Sequence, residues 1–198
     1  MSSRVGKVER STGETVVTVE MDLGGGSYAI TTGIGFFDHM LASLAHHGNL
    51  GLFVRAEGDL VVDAHHTVED VGLAMGQALD QALGERLGVT RFGFAYAPLD
   101  EALARAVVDL SGRPFAQVNF PRRLELAMVT QSFPLTLVRE FFRAVASRAL
   151  LTLHLDVERG SDPHHAAEAG FKAFALALRQ AVSLVSDSIA STKGVLRG

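Results

Sequence analysis

The chain has no cysteine. Disulfides, thiolate nucleophiles and sulfur-ligated zinc or iron–sulfur centres are thereby excluded, and any metal must be held by nitrogen and oxygen. It also has no long apolar run. Nothing approaches the roughly 20 residues that cross a bilayer, and the opening Met1–Arg10 lacks the apolar core of a signal peptide, so a cytoplasmic protein is expected. Excess charge of either sign is small. A formal net charge of −4 and a pI near 6.0 argue against a general nucleic-acid or anionic-membrane surface, while leaving room for a small anion held by a few local cations. No Pro- or Ser-rich linker divides the 198 residues, and 47% are hydrophobic, so one packed unit spanning 1–198 is expected, not two beads.

What the chain does have is a doubled motif. His-His-x-x-Glu occurs as His65-His66-Thr67-Val68-Glu69 and again as His164-His165-Ala166-Ala167-Glu168, separated by half the chain length. Each copy follows an acidic residue, Asp63 or Asp162, and precedes a long apolar-periodic run, so each stands where a helix begins. On a helix, residues i and i+4 share a face while i and i+1 diverge by about 100°. His65 with Glu69, and His164 with Glu168, can therefore converge on one ion, and His66 and His165 point toward another. A pair of histidines at one helix start reads as easily as a solvated cap; two copies in matching halves read as a duplicated metal site. Nitrogen and oxygen ligands favour six-coordinate Mn(II), with Fe(II), Co(II) or Zn(II) open on affinity alone.

Periodicity supplies the frame. Val17, Val19, Met21 and Leu23 alternate as in a half-buried strand over 14–23, and Gly24-Gly25-Gly26 turns the chain. A short strand at 27–32, a helix at 36–47 ending on Gly48, a strand at 50–56 and a helix after His65 complete a first half of order ββαβα. The second half repeats it: strands at 101–110 and 114–120, a helix at 135–150, a strand at 151–158 and a helix after Pro163. Asp109-Leu110-Ser111-Gly112 echoes Asp22-Leu23-Gly24-Gly25, and Pro121–Pro134 reads as a long loop. The expected class is α+β: two similar half-repeats, about 1–95 and 96–198, each a sheet backed by helices. The repeat also sets His39, in Asp38-His39-Met40, opposite Glu140. The tail from Ser191 is expected to be mobile in an isolated chain.

Several longer blocks carry a family resemblance. Gly33-Ile34-Gly35-Phe36-Phe37-Asp38-His39-Met40-Leu41, His47-Gly48, Gly58-Asp59-Leu60, the segment from Asp63 to Gly72, Asp109-Leu110-Ser111-Gly112-Arg113-Pro114 and His164-His165-x-x-Glu168-Ala169-x-Phe171-Lys172-Ala173 closely resemble imidazoleglycerol-phosphate dehydratase of histidine biosynthesis, in order along nearly the whole chain. The resemblance implies the monofunctional form, a fold of the ribosomal protein S5 domain 2-like kind, and no organic cofactor. It implies two Mn(II) per active site, and a homo-oligomer of 24 subunits built from trimers with sites shared between neighbours. Carried over residue by residue, the metal ligands are His39, His65, His66, Glu69, His164, His165 and Glu168. The sequence departs from many members at Glu140, where they have a further histidine ligand, and that role is not carried over. His154 is a nearby alternative that reads better as structural.

The implied reaction removes water from D-erythro-imidazoleglycerol phosphate to give imidazoleacetol phosphate. The carbon that loses its proton has no adjacent carbonyl, so another electron source is needed. An imidazole held through both nitrogens by two cations can become imidazolate and expel the neighbouring hydroxyl through a diazafulvene-like intermediate. A carboxylate base completes the scheme, and Glu14 matches a substrate-contacting glutamate of the family, with Glu168 the competing choice. His47, Arg91, Arg113, Lys172, Ser191, Thr192 and Lys193 match substrate and phosphate contacts, Thr192 standing where serine is usual. A different di-metal enzyme, such as a hydrolase or oxygen-activating protein, would also use the His and Glu residues but would not need Arg91, Arg113, Lys172 and Lys193, and a non-catalytic metal-buffering shell would tolerate loss of Glu14.

Overall fold

Two passes through one order of elements make up the fold. The computed structural model describes residues 4–192, 194 and 196. The first pass runs β1 (Val5–Ser11), β2 (Thr15–Asp22), β3 (Tyr28–Thr31), α1 (Gly35–Gly48), β4 (Gly51–Gly58) and α2 (His65–Leu83). The second runs β5 (Phe92–Leu99), β6 (Ala102–Asp109), β7 (Phe115–Asn119), the short pair β8 (Met128–Thr130) and β9 (Phe133–Pro134), α3 (Thr136–Ala149), β10 (Thr152–Arg159) and α4 (Pro163–Ala181). The segment read as a long loop thus holds a 3-10 turn at Arg122–Leu124 and a two-stranded ribbon. Leu124 and Phe133, 4% and 1% exposed, pin it to the core.

Each pass closes a four-stranded mixed sheet, in the orders β1-β2-β4-β3 and β5-β6-β10-β7, with β3 parallel to β4 and β7 parallel to β10. Alternation sorts the faces. Val17, Val19 and Met21 of β2 and Leu52, Val54 and Ala56 of β4 are buried, while Lys7, Glu20, Arg55 and Glu57 pair on the other side. The helices lie between the sheets. α2 rests on β1, β2 and β4 and packs on α3; α4 rests on β5, β6 and β10 and packs on α1. Each half therefore gives its helices to the other half's helices, and the core is common to both.

The periodicity predicts neither β1 nor β5, and both exist. β1 buries only Gly6 and Val8 along its length. In β5 the usual size pattern is inverted: Phe92, Phe94 and Tyr96 point outward at 54%, 66% and 53% exposure, while Gly93, Ala95 and Ala97 face α4. The reason is the closeness of α4, since a Cβ on Gly93 would run into the carbonyl of Ala177. Among the described residues no helix is long and apolar enough to cross a membrane.

Candidate active site

Both histidine pairs open a helix. Asp63 Oδ1 accepts from the His65 backbone N–H at 2.7 Å, and Asp162 Oδ1 accepts from those of His164 and His165 at 2.7 and 3.3 Å, with Pro163 at the first helical position. Asp162 is thus the cap that starts α4, while Asp63 stands one residue before Ala64, the N-cap of α2, and its side chain still holds the His65 N–H. Along each helix the i,i+4 geometry follows: His65 Nε2 lies 3.8 Å from Glu69, and His164 Nε2 lies 3.3 Å from Glu168 Oε2.

Packing of α1 on α4 adds His39, whose Nε2 is 3.4 Å from the same Glu168 oxygen, so residues far apart in the chain meet. The ligand atoms of His39, His164 and Glu168 all fall within 4.8 Å of one another. Donors sharing one ion at bonds near 2.1 Å are roughly 3.0–3.5 Å apart, so this imidazole–imidazole–carboxylate set fits a first-row divalent metal. Phe36 braces it with its ring against His164, centroids 5.2 Å apart. Lys172 Nζ holds the other Glu168 oxygen at 2.8 Å. Burial would raise the Glu168 pKa, but Lys172 and His39 outweigh it and keep the carboxylate ionised below its ordinary range.

His66 and His165 are oriented through Nδ1. Asp59 approaches His66 Nδ1 at 3.0 Å, with Glu14 behind at 3.6 Å; Glu101 approaches His165 Nδ1 at 2.8 Å, and Asp100 lies 3.9 Å from its Nε2. A carboxylate on one ring nitrogen fixes tautomer and direction for the other, the arrangement found behind metal-bound histidines. The Asp59 and Glu101 hydrogen bonds raise the pKa of the two imidazoles. Glu101 itself is pushed far below the usual carboxylate range by the Asp162 N–H, His165 and the Ser161 N–H. Sequence reading assigned no role to Asp59, Asp100 or Glu101. The signal for Glu101 was present: it occupies in the second repeat the place of Glu14 in the first.

Among the described residues, then, the seven expected ligands do not meet at one point. His39, His164 and Glu168 form one group, His66 joins Glu14 and Asp59 in another, and His65 pairs with Glu69. Glu140, opposite His39 in the repeat, ion-pairs with Arg143 at 3.1 Å. His154 is exposed on the outer face of β10, beside the Phe115 ring.

Of the expected anion contacts that are described, Arg91, Arg113 and Lys172 lie on or beside the second pass of elements, while His47 lies on α1 of the first. Arg91 grips Asp109 through Nε at 2.7 Å and bonds the Ala190 carbonyl, also at 2.7 Å, which ties the segment before Ser191 and Thr192 to the start of β5. Arg113 is exposed at the turn after β6, its backbone N–H bonded to Ser111 Oγ. His47 ends α1 within electrostatic reach of Lys172, and burial, His46 and Lys172 lower its pKa. Lys193 lies outside the described residues, as does part of the tail read as mobile. A cavity of about 470 Å³ runs from Phe36 at the start of α1 to Ala64 at the start of α2, and a shallower groove of about 360 Å³ follows Glu14 and Asp59.

Fold and clusters together define an α+β enzyme with metal-competent nitrogen and oxygen ligand groups at helix N-termini. Residues 32–178 match the family model for imidazoleglycerol-phosphate dehydratase. The dehydratase of Halorhodospira halophila is 54% identical over 99% of this chain and all of that protein, and that of Acidiphilium cryptum is 52% identical over 98% and all of it. The crystal structure of the Staphylococcus aureus dehydratase aligns with a TM-score of 0.81 at 37% identity, covering 91% of this chain and 99% of that one. The Pyrococcus furiosus enzyme, solved in complex with (S)-C348, aligns with 0.82 at 35%, covering 95% and 99%. The chain belongs to the imidazoleglycerol-phosphate dehydratase family, hydro-lyases of histidine biosynthesis.

Proposed function

We propose that this protein dehydrates D-erythro-imidazoleglycerol phosphate to imidazoleacetol phosphate with two Mn(II) per site. The observation that carries the reading is Glu168, which joins His39 of one half to His164 of the other in a geometry suited to a divalent ion. His39, His65, His66, Glu69, His164, His165 and Glu168 would hold the ions, which when bound supply the Lewis acidity that makes the substrate's imidazole an electron source. The split of these ligands within one chain supports sites completed by neighbouring subunits. So do the exposed Phe92, Phe94, Tyr96 and Phe115 on the outer face of the second sheet, a surface suited to other copies in a 24-subunit shell built from trimers.

The residues divide the remaining work. Both Glu168 oxygens are engaged, by Lys172 on one side and His39 and His164 on the other, which suits a ligand and not a base. The Glu14 side chain is 55% exposed and reaches only to His66, so it is the carboxylate free to take the proton from the carbon that keeps its hydroxyl. That proton and the hydroxide leaving the ring-bearing carbon make up the water lost, and the enol left behind becomes the ketone. Arg91, Arg113, Lys172 and Lys193 offset the phosphate charge, Ser191 and Thr192 supply hydroxyl donors to it, and His47 contacts the substrate. The setting is the cytoplasm, and the single dehydratase domain is two duplicated halves, as the repeated element order supports.

Purified protein reconstituted with Mn(II) should convert the substrate to the ketone, followed by product absorbance or mass. No turnover at full metal content would overturn the reading.

A further inference from the structure

The two repeats carry the same hairpin with a glutamate at its turn, Glu14 between β1 and β2 and Glu101 between β5 and β6. They hold it differently. In the first repeat a polar trio, with Thr15 and Asp70 buried and Arg10 partly exposed, ties the hairpin to α2: Thr15 Oγ1 donates to Asp70 Oδ2 at 2.5 Å, and Arg10 Nε donates to Asp70 Oδ1 at 2.7 Å. Thr15 is 2% and Asp70 7% exposed. In the second repeat all three positions are alanine. Arg10 faces Val17 across the first hairpin as Ala97 faces Ala104 across the second, Thr15 and Ala102 each open the returning strand, and Asp70 falls on Ala169 when the His-His-x-x-Glu segments are aligned. Ala97, Ala102 and Ala169 are at most 3% exposed, so at these three positions the second hairpin meets α4 through apolar contact, its polar ties lying instead at Glu101 and at the Phe94 N–H, which donates to Gln180.

The fold thus does not require the trio. Nor does stability supply a reason, since a buried ion pair roughly breaks even with a well-packed apolar replacement. What differs between the repeats is the state of the glutamate. Glu101 accepts from the Ser161 and Asp162 N–H groups at 2.8 Å each and reaches His165 Nδ1 at 2.8 Å, so its own bonds anchor it. In the first repeat Asp59 takes His66 Nδ1 instead, while Gly160 follows β10 where Asp59 follows β4. The Glu14 carboxylate keeps only an ion-pair contact, 3.6 Å from that ring. A carboxylate not held by its own hydrogen bonds must have its backbone held from elsewhere.

We propose that Arg10, Thr15 and Asp70 are positioning residues for Glu14. They lock the β1–β2 turn to α2 one helical turn beyond His66, so that turn, histidine and base keep a constant spacing while the Glu14 carboxylate stays free to accept a proton. The proposal rests on Glu14 being the base.

The test replaces the trio with the protein's own alternative, Arg10→Ala/Thr15→Ala/Asp70→Ala, and compares Thr15→Val with Thr15→Ser. The triple variant and Thr15→Val should keep metal per subunit and KM near the parent's while kcat falls on the order of 10²-fold, the usual cost of a misplaced reacting group. Thr15→Ser should recover most of the rate lost in Thr15→Val. Adding Glu14→Gln to the triple variant should cost little beyond Glu14→Gln alone, because both act through one group. Parent-like kcat in the triple variant, metal lost in step with rate, or fully multiplicative losses would each overturn the proposal. If the triple variant does not fold, the Thr15→Val and Thr15→Ser pair decides by the same criteria. Full activity in Glu14→Gln alone would instead remove the reading of Glu14, and this proposal with it.

Discussion

Arg86 is the largest side chain with no exposed surface, and its surroundings explain why a charge is tolerated there. Its guanidinium donates to the carbonyls of Ala149 and Leu150 at 2.7 and 3.0 Å and to Asp80 at 2.8 Å, capping α3 with the sign its C-terminus favours. Leu150 ends that helix at φ 50°, a conformation costly for a branched side chain, so the cap also holds a strained residue. Arg86→Met should destabilise the protein by about 3–5 kcal/mol, because it removes the donors to two buried carbonyls and breaks the Arg86–Asp80 ion pair. Thermal denaturation of the metal-free form would show it, and an unchanged Tm would contradict the assignment. None of this was legible beforehand: an arginine after Gly84-Glu85 reads as a surface charge, and its carbonyl partners lie more than 60 positions away. The histidines behaved otherwise, since i,i+4 spacing on a helix is local geometry that a sequence carries openly.

At the scale of elements, α2 and α3 meet through glycine. A Cβ on Gly72 would lie 2.8 Å from Ala144 Cβ and 2.9 Å from the Phe141 carbonyl oxygen. Gly72→Ala improves helix propensity by about 1 kcal/mol, yet overpacking costs about 1–3 kcal/mol and the obstacle here is partly backbone, which does not turn aside. The clash should win, lowering Tm by a few degrees; a Tm equal to or above the parent's would show that the helices can separate freely. The second sheet supplies a pH test. Arg105 of β6 and Asn119 of β7 both reach Asp156 of β10, at 2.7 Å each. Burial would raise the Asp156 pKa, but these bonds and the Arg105 charge hold it below its ordinary 3.8. A depressed carboxylate contributes stability above its unfolded pKa and loses it as pH falls through the folded one. The Tm advantage of the parent over Asp156→Asn should therefore be full at pH 7 and shrink below about pH 4, and a constant difference would count against the ladder. Strands with large residues inward were legible; β5 was not, because α4 leaves room only for Gly93, Ala95 and Ala97 and sends the aromatics out.

For the whole molecule, ligands divided among separate groups predict that metal and assembly are coupled. Light scattering behind a sizing column should find metal-loaded protein well above monomer mass and a smaller species after chelation, whereas a monomer in both states would remove shared sites. The sequence by itself determined the ligand chemistry, because zero cysteine leaves only nitrogen and oxygen, and it determined the repeat, the helix starts and the family. Those are properties of composition and of short spacings set by the 3.6- and 2-residue periods. Only the tertiary structure decided that α1 packs on α4 and α2 on α3, which brings His39 to Glu168, and that Glu101 is held by hydrogen bonds where Glu14 has only its contact with His66. An apolar stripe says that a face is buried but not against what, and a glutamate's role depends on which N–H groups the distant chain places beside it.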